Sequence, residues 1–127
     1  MKIYLKEKNG DWKLRNGDLA DELKLREIRI GEGAIIGEWA RIGVGARIGE
    51  GASIAKSYEC IVLGPLGSRQ AMLTGYMLKK VLMVGTGCFL DTIDKFEAQV
   101  KTVHAGTEHE REYLCATRYL RDKFGVK

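Results

Sequence analysis

Two glycine-containing segments carry the residues of this chain best suited to bind an anion. The first, Gly67-Ser68-Arg69, combines backbone N–H groups, a hydroxyl and a guanidinium, whose planar donors match phosphate or carboxylate. The second runs from Gly85 to Cys88 and precedes a predicted helix, whose first N–H groups attract negative charge. We predict that both segments meet at one ligand site, formed by Ser68, Arg69, Thr86 and Cys88, with Lys79 or Lys80 at its rim.

A simpler interpretation of these segments involves no ligand. Arg69 would pair with an acidic neighbour, and the glycines would only turn the chain. Neither a Walker-type phosphate loop nor a dinucleotide fingerprint is present, because no lysine followed by serine or threonine stands at the required spacing. Cys88 would be a reactive thiol if it lay at a helix start. The wide spacing of Cys60, Cys88 and Cys115 instead indicates three buried free thiols, with no disulfide framework or zinc site.

The two histidines are weaker candidates for chemistry. His104 falls at the predicted end of one helix and His109 at the start of the next, which is typical of surface positions. A general-base role needs a group that orients the imidazole, and the sequence fixes no carboxylate beside either residue. We therefore predict no catalytic residue, no metal ion and no cofactor.

The elements that would position these residues lie in the second half of the chain. A loop is predicted from Gly64 to Arg69, followed by strands at Ala71 to Leu78 and Val81 to Val84. Asp91 or Thr92 would cap a helix whose apolar face carries Ile93, Phe96, Val100 and Val103. Thr107 with Glu110 forms a capping box for a last helix.

The first half contains a repeat of six residues. Isoleucine stands at every sixth position, in most cases followed by glycine and, four residues on, by alanine; the isoleucines are Ile30, Ile36, Ile42, Ile48 and Ile54. A repeat of this length predicts a parallel β-helix in which three units make one turn, so that residues 18 apart stack. Ile30 would lie on Ile48 and Ile36 on Ile54. The pattern ends after Ile54, because Tyr58 and Cys60 break it.

This repeat resembles the left-handed β-helix of hexapeptide-repeat proteins, many of which are trimeric acyltransferases. The expected fold is therefore α+β: a short left-handed parallel β-helix with an N-terminal β-hairpin, and a C-terminal β-hairpin plus two α-helices. We expect an N-terminal cap at 1–29, a stem at 30–63 and a C-terminal module at 64–127. Residues 18–29 fit either a helix or an irregular first coil. An acyltransferase is disfavoured, because the repeat contains no histidine.

Three residues of the repeat suggest contacts between copies of the chain. Trp39 replaces a glycine at an outward corner, where a large aromatic is either a subunit contact or a cap over the hairpin. Arg41 and Arg47 share an outward column that is either solvated or pairs with glutamates of another copy. We expect a homo-oligomer, a trimer or a multiple of one.

The C-terminal part has a resemblance of its own. Gly67-Ser68-Arg69, Gly87-Cys88-Phe89, Thr92 to Phe96 and Val100 to Gly106 together resemble a module of small uncharacterised phage and prophage proteins. This resemblance implies a phage-type protein and carries no chemistry of its own. Together with the anion-binding segments, it suggests a non-enzymatic oligomer that binds a small phosphate-bearing ligand and sequesters a nucleotide-derived bacterial immune signal. A virion structural or assembly protein is the remaining alternative.

Charge and composition exclude other classes. The net charge of +4 is mild and not clustered, which argues against binding to duplex nucleic acid. The sequence lacks both a long apolar run and a secretory leader, so we expect no membrane partner and a cytoplasmic location.

Overall fold

The computed structural model describes residues 2–7, 9–16, 18–39, 41–56, 59–87 and 89–127, and at positions 2, 3, 6, 15, 16, 38, 39, 41, 55 and 56 it describes the backbone alone. Its architecture is α+β, and the described residues form short parallel strand pairs, a four-stranded antiparallel sheet and three helices. None of the described helices is long and apolar enough to cross a membrane.

The N-terminal part forms the expected β-hairpin and a short helix. Strands β1 (Lys2–Lys6) and β2 (Trp12–Asn16) pair antiparallel. Helix α1 spans Ala20–Leu25, and the carboxylate of Asp18 accepts a hydrogen bond from the N–H of its first residue at 3.1 Å. Of the two interpretations of this segment, the structure therefore supports the helix.

The isoleucine repeat forms five short strands. They are β3 (Arg29–Ile30), β4 (Ile35–Trp39), β5 (Arg41–Ile42), β6 (Arg47–Ile48) and β7 (Ser53–Lys56). Strand β3 pairs parallel with β6, which brings Ile30 opposite Ile48, and β4 pairs with β7, which brings Ile36 opposite Ile54. The register expected from an 18-residue offset is thus present in these two pairs.

The expectation of a left-handed parallel β-helix is nevertheless wrong. Parallel pairing is confined, among the described strands, to two separate two-stranded sheets and to the pair of β1 with β5. The largest sheet is antiparallel. Leu5 of the hairpin and Tyr76 of the antiparallel sheet are buried in the same core as the isoleucines. Other elements, and not further coils, therefore close the apolar face of the repeat.

The antiparallel sheet has four strands in the order β11-β10-β9-β8. They are β8 (Cys60–Leu66), β9 (Ala71–Leu78), β10 (Val81–Thr86) and β11 (Phe89–Thr92). The expected hairpin of β9 and β10 is present. The expected loop is wrong in its first half, because Gly64 to Leu66 continue β8 past an irregularity in its pairing with β9.

Both C-terminal helices begin where their capping residues predict. Helix α2 spans Ile93–Val103, and the Thr92 hydroxyl accepts a hydrogen bond from the Lys95 N–H at 3.3 Å. Helix α3 spans Glu108–Phe124, and the Thr107 hydroxyl accepts one from the Glu110 N–H at 3.3 Å. Their apolar faces pack together and against the sheet; the buried residues are Ile93, Phe96, Val100, Tyr113, Ala116, Thr117 and Leu120.

The antiparallel sheet lies between the repeat strands and the two helices. On one face, the hydroxyls of Thr74 and Tyr76 accept hydrogen bonds from the N–H groups of Arg47 and Gly49, at 2.9 and 2.8 Å. On the other face, Gly75 lies so close to Leu120 that an added Cβ would stand 2.7 Å from its side chain. Because successive residues of β9 point to opposite faces of the sheet, Thr74 and Tyr76 contact the repeat and Gly75 contacts helix α3. The loops at the end of the sheet are thus fixed relative to both the repeat and the helices.

Candidate anion-binding cleft

A cavity of about 400 Å³ opens where the β8–β9 and β10–β11 connections meet helices α2 and α3. We call it the aromatic cleft; its lining residues are Ser68, Arg69, Ala71, Thr86, Gly87, Phe89, Phe96, Gln99, Val100, Val103, His104 and Tyr113. Three of the predicted ligand-binding residues line this one cavity, although Ser68 and Arg69 belong to the β8–β9 connection and Thr86 is the last residue of β10. Its volume lies within the usual range for small-molecule pockets, roughly 300 to 1,000 Å³.

Gly67 sets the conformation of the loop that carries Ser68 and Arg69. Its φ is +77°, and an added Cβ would stand 2.0 Å from the Tyr113 ring, so only glycine fits. The Gly67 N–H donates to the Glu112 carboxylate, and the Gly67 carbonyl accepts from the backbone and side-chain amides of Gln70 at 3.2 and 2.9 Å. The Gly67 N–H is therefore engaged, which corrects its expected role as an anion donor.

The second wall is the turn that joins β10 to β11. The Thr86 hydroxyl donates to the Met72 carbonyl at 2.9 Å, which ties the end of β10 to the start of β9. Because this bond uses the only hydrogen of the hydroxyl, Thr86 shapes the cleft and does not donate to an anion. The Gly87 carbonyl accepts a hydrogen bond from the Arg47 guanidinium on the repeat side of the sheet.

Arg69 reaches across the mouth of the cleft toward this turn. A Cβ placed on Gly87 would stand 3.7 Å from the Arg69 Nη1. Within the part of the chain that the structure describes, the Arg69 guanidinium makes no ion pair and no hydrogen bond. None of the described acidic residues therefore pairs with Arg69 as the simpler interpretation requires. The planar donors of Arg69 instead face a cavity.

Aromatic rings form the inner wall. Phe96 packs edge-on against Phe89 and Tyr113, with ring centroids 5.2 and 5.6 Å apart. His104 lies 5.4 Å from the Tyr113 ring and 5.8 Å from the His109 ring. The apolar spacing of α2 predicts only that Phe96 lies on the buried face of a helix, and no sequence motif marks Phe89 or Tyr113 as site residues. Apolar spacing predicts burial, and it does not distinguish a core residue from a cavity wall.

Other expected site residues lie elsewhere. Lys79 and Lys80 form the β9–β10 turn, at the opposite end of the hairpin from the cleft, and they line neither described cavity. Cys88 lies outside the described residues. The helix expected after Gly85 to Cys88 begins at Ile93, behind its predicted cap Thr92, but strand β11 lies between this turn and α2.

Of the three residues expected to make oligomer contacts, the structure describes the side chain of Arg47. Arg47 is half-buried, and its guanidinium donates to the Gly87 carbonyl of the same chain. The side chains of Trp39 and Arg41 lie outside what the structure describes, as does the contact expected from them. Arg47 is thus used within the chain, where it supports the turn beside the cleft.

The two described cysteines differ in environment. Cys60 is buried between the sheet and the repeat, and burial raises the pKa of its thiol to about 12. Cys115 is exposed on α3, so the expectation that all three thiols are buried is wrong for this residue. In the described part of the chain, no three His, Cys, Asp or Glu side chains lie close enough to hold a metal ion.

Comparison of the chain with protein-family models, curated proteins and solved structures finds no match.

Proposed function

We propose that this protein binds a small anion carrying a planar ring, such as an aromatic or nucleotide-like phosphate ester, in the aromatic cleft. The observation that carries the proposal is that Ser68 and Arg69 line one cavity walled by aromatic rings, and that Arg69 has no ion-pair partner among the described residues. Arg69 matches the oxygens of a phosphate, whereas the rings of Phe96, Tyr113 and His104 suit a planar group. The phosphate and the ring of such a ligand would thus each have a partner in the cleft.

The charges around the cleft favour a single anionic group near Arg69. Glu112 of α3 accepts a hydrogen bond from the N–H of Gly67, two residues before Arg69, and this bond offsets part of the negative charge of Glu112. An anion that approaches from the Gly87 side of Arg69 would therefore contact the Arg69 guanidinium before it reaches the Glu112 carboxylate. We expect this attraction to weaken in salt, since Arg69 is exposed.

We further propose that the ligand is held and not converted. The Thr86 hydroxyl is engaged by the Met72 carbonyl, and His104 contacts the rings of Tyr113 and His109. An oligomer of such a chain would act as a reservoir for its ligand. The resemblance to phage modules narrows this proposal to sequestration of a nucleotide-derived bacterial immune signal. The acyltransferase alternative loses its support, because it rests on a β-helix that the chain does not form.

Titration with phenyl phosphate tests the proposal, because this probe combines a ring with a phosphate. We expect it to bind about tenfold more tightly than inorganic phosphate, since the ring adds stacking. Arg69→Ala should weaken phenyl phosphate binding by roughly tenfold to a hundredfold, the usual loss for a hydrogen bond to a charged group.

Lys79→Asn is the matched control for Arg69→Ala. It removes one positive charge at the far end of the same hairpin, and asparagine tolerates the φ of +47° at this position. Calorimetry should give wild-type affinity for this variant. Equal affinity of the wild type and Arg69→Ala would show that the proposed cleft is not the binding site, and release of phosphate from the probe would show an enzyme.

A further inference from the structure

A second cavity lies on the other side of the Thr86–Gly87 turn. It has a volume of about 1030 Å³ and extends between helix α1, the repeat strands and the start of β9. We call it the aliphatic groove. Ala71, Thr86 and Gly87 line both this groove and the aromatic cleft, so these three residues form a ridge between the two cavities.

The ridge is low. Ala71 contributes a methyl group, and Gly87 contributes no side chain. Apart from its chain neighbours, the one described residue within 4 Å of a Cβ added to Gly87 is Arg69, whose Nη1 would stand at the contact distance of 3.7 Å. The Thr86 hydroxyl is held down by its bond to the Met72 carbonyl. A ligand that crosses the ridge at Gly87 would therefore meet no side chain of Gly87 itself and would contact the Arg69 guanidinium.

Two guanidinium groups flank this passage. Arg69 approaches Gly87 from the cleft, and Arg47 lines the groove and donates to the Gly87 carbonyl. Arg47 is fixed in place by its backbone as well, because its N–H donates to the Thr74 hydroxyl at 2.9 Å. Since a guanidinium has five N–H donors, this carbonyl leaves others of Arg47 for an anion. The ridge is thus the most favourable place for a negative group.

The lining of the groove differs from that of the cleft. Its apolar residues are aliphatic: Leu19, Leu23, Ile28, Ile30, Ala34 and Met72. Its charged residues are of both signs, namely Asp18, Lys24, Glu27, Arg29 and Arg47. A groove of this kind suits a flexible aliphatic group better than a second anion or a stacked ring.

We propose that the ligand spans both cavities: a planar ring in the aromatic cleft, a phosphodiester-type anion over Gly87, and an aliphatic arm in the aliphatic groove. This inference rests on the proposed function, because it uses the same ring and anion positions. It adds that the ligand is a diester with two unlike arms, and that the groove selects for the second arm.

Two probes isolate the arm. Methyl phenyl phosphate and hexyl phenyl phosphate carry the same ring and the same single charge, and they differ only in the alkyl chain. We expect the hexyl ester to bind the wild-type protein at least about tenfold more tightly, because several CH₂ groups leave water in the groove. Ala20→Trp places a bulky side chain at an exposed position that lines the groove, and it should remove this gain.

Ala98→Trp is the control, because Ala98 is an exposed helical alanine that lines neither described cavity. The hexyl gain should persist in this variant. Equal affinity for the two esters in the wild type, or a gain that survives Ala20→Trp, would overturn the spanning arrangement while the proposed function stands. Absence of binding for both esters and for phenyl phosphate would overturn the two proposals together.

Discussion

Gly67 shows how one residue positions the candidate site. Its backbone lies against the Tyr113 ring, and its N–H and carbonyl are both hydrogen-bonded, to Glu112 and Gln70. The following two residues are thereby directed to the mouth of the cleft. The sequence predicts that this glycine donates to an anion, whereas its role in the structure is conformational.

Gly67→Ala should therefore lower stability beyond the cost of its backbone angle. Gly106→Ala is the matched control, because its φ of +74° is similar but nothing lies within 4 Å of an added Cβ. We expect Gly67→Ala to cost about 1 to 3 kcal/mol more than the control, since Tyr113 must move. Urea denaturation measures both variants, and equal losses would contradict the close approach to Tyr113.

An ion-pair network joins helices α2 and α3. The Arg121 guanidinium donates to both Glu97 carboxylate oxygens, at 2.6 and 3.3 Å, and to Asp94 at 2.6 Å. The side chains of Arg121 and Glu97 are 17 and 20% exposed, whereas that of Asp94 is 85% exposed. Glu97 should therefore contribute more to stability than Asp94, since solvent screens an exposed pair.

Stability should consequently depend on pH through Glu97. Partial burial raises the pKa of its carboxyl, but hydrogen bonds from Arg121 and Thr117 and nearby positive charges outweigh this effect and lower the pKa overall. The unfolded chain then binds more protons than the native one at acidic pH, so this stabilisation is full above the ordinary carboxyl pKa and is lost as pH falls below it.

Glu97→Gln measures this contribution. At neutral pH the variant should lose about 1 to 2 kcal/mol, and the difference from the wild type should shrink as the pH drops below the ordinary carboxyl pKa. Asp94→Asn should cost less than half as much, because Asp94 is mostly exposed. A pH-independent difference in the free energy of unfolding would rule out the ionised pair as its cause.

Local signals predicted these elements well. Thr92 and Thr107 mark the starts of α2 and α3, and Lys79-Lys80 marks the turn of the hairpin, because capping and turn formation depend on a few adjacent residues. The end of β8 was missed. Gly64 and Pro65 indicate a loop by type, and only pairing with β9 extends the strand through them.

At the scale of the whole molecule, the antiparallel sheet decides the architecture. The six-residue period predicts the offset of strand pairs such as Ile30 with Ile48, which is a local property of the repeat. The architecture depends on what covers the repeat, and its cover includes Tyr76, whose sequence context gives no sign of this partner. Residue type predicts which groups of Ser68 and Arg69 suit an anion, whereas their proximity to Thr86 and the aromatic wall arises only when the sheet and the helices pack.

Tyr76 links the sheet to the repeat, and its hydroxyl accepts the only described hydrogen bond of the buried Gly49 N–H. Tyr76→Phe should cost about 1 to 3 kcal/mol, because this N–H would lose its partner in the core. Tyr119→Phe, at an exposed position, should be nearly neutral. Thermal unfolding of both variants tests the layer contact, and a neutral Tyr76→Phe would argue against it.

We propose that an anion carrying a planar ring binds in the aromatic cleft, between the β8–β9 and β10–β11 connections. Titration of ¹⁵N-labelled protein with phenyl phosphate, followed by amide chemical shifts, locates the ligand directly. We predict that the largest shifts fall at Ser68, Arg69, Thr86 and Gly87, while Lys79 and Lys80 stay unchanged. Shifts centred on the Lys79-Lys80 turn, or no saturable shifts at Ser68 and Arg69, would contradict the claim.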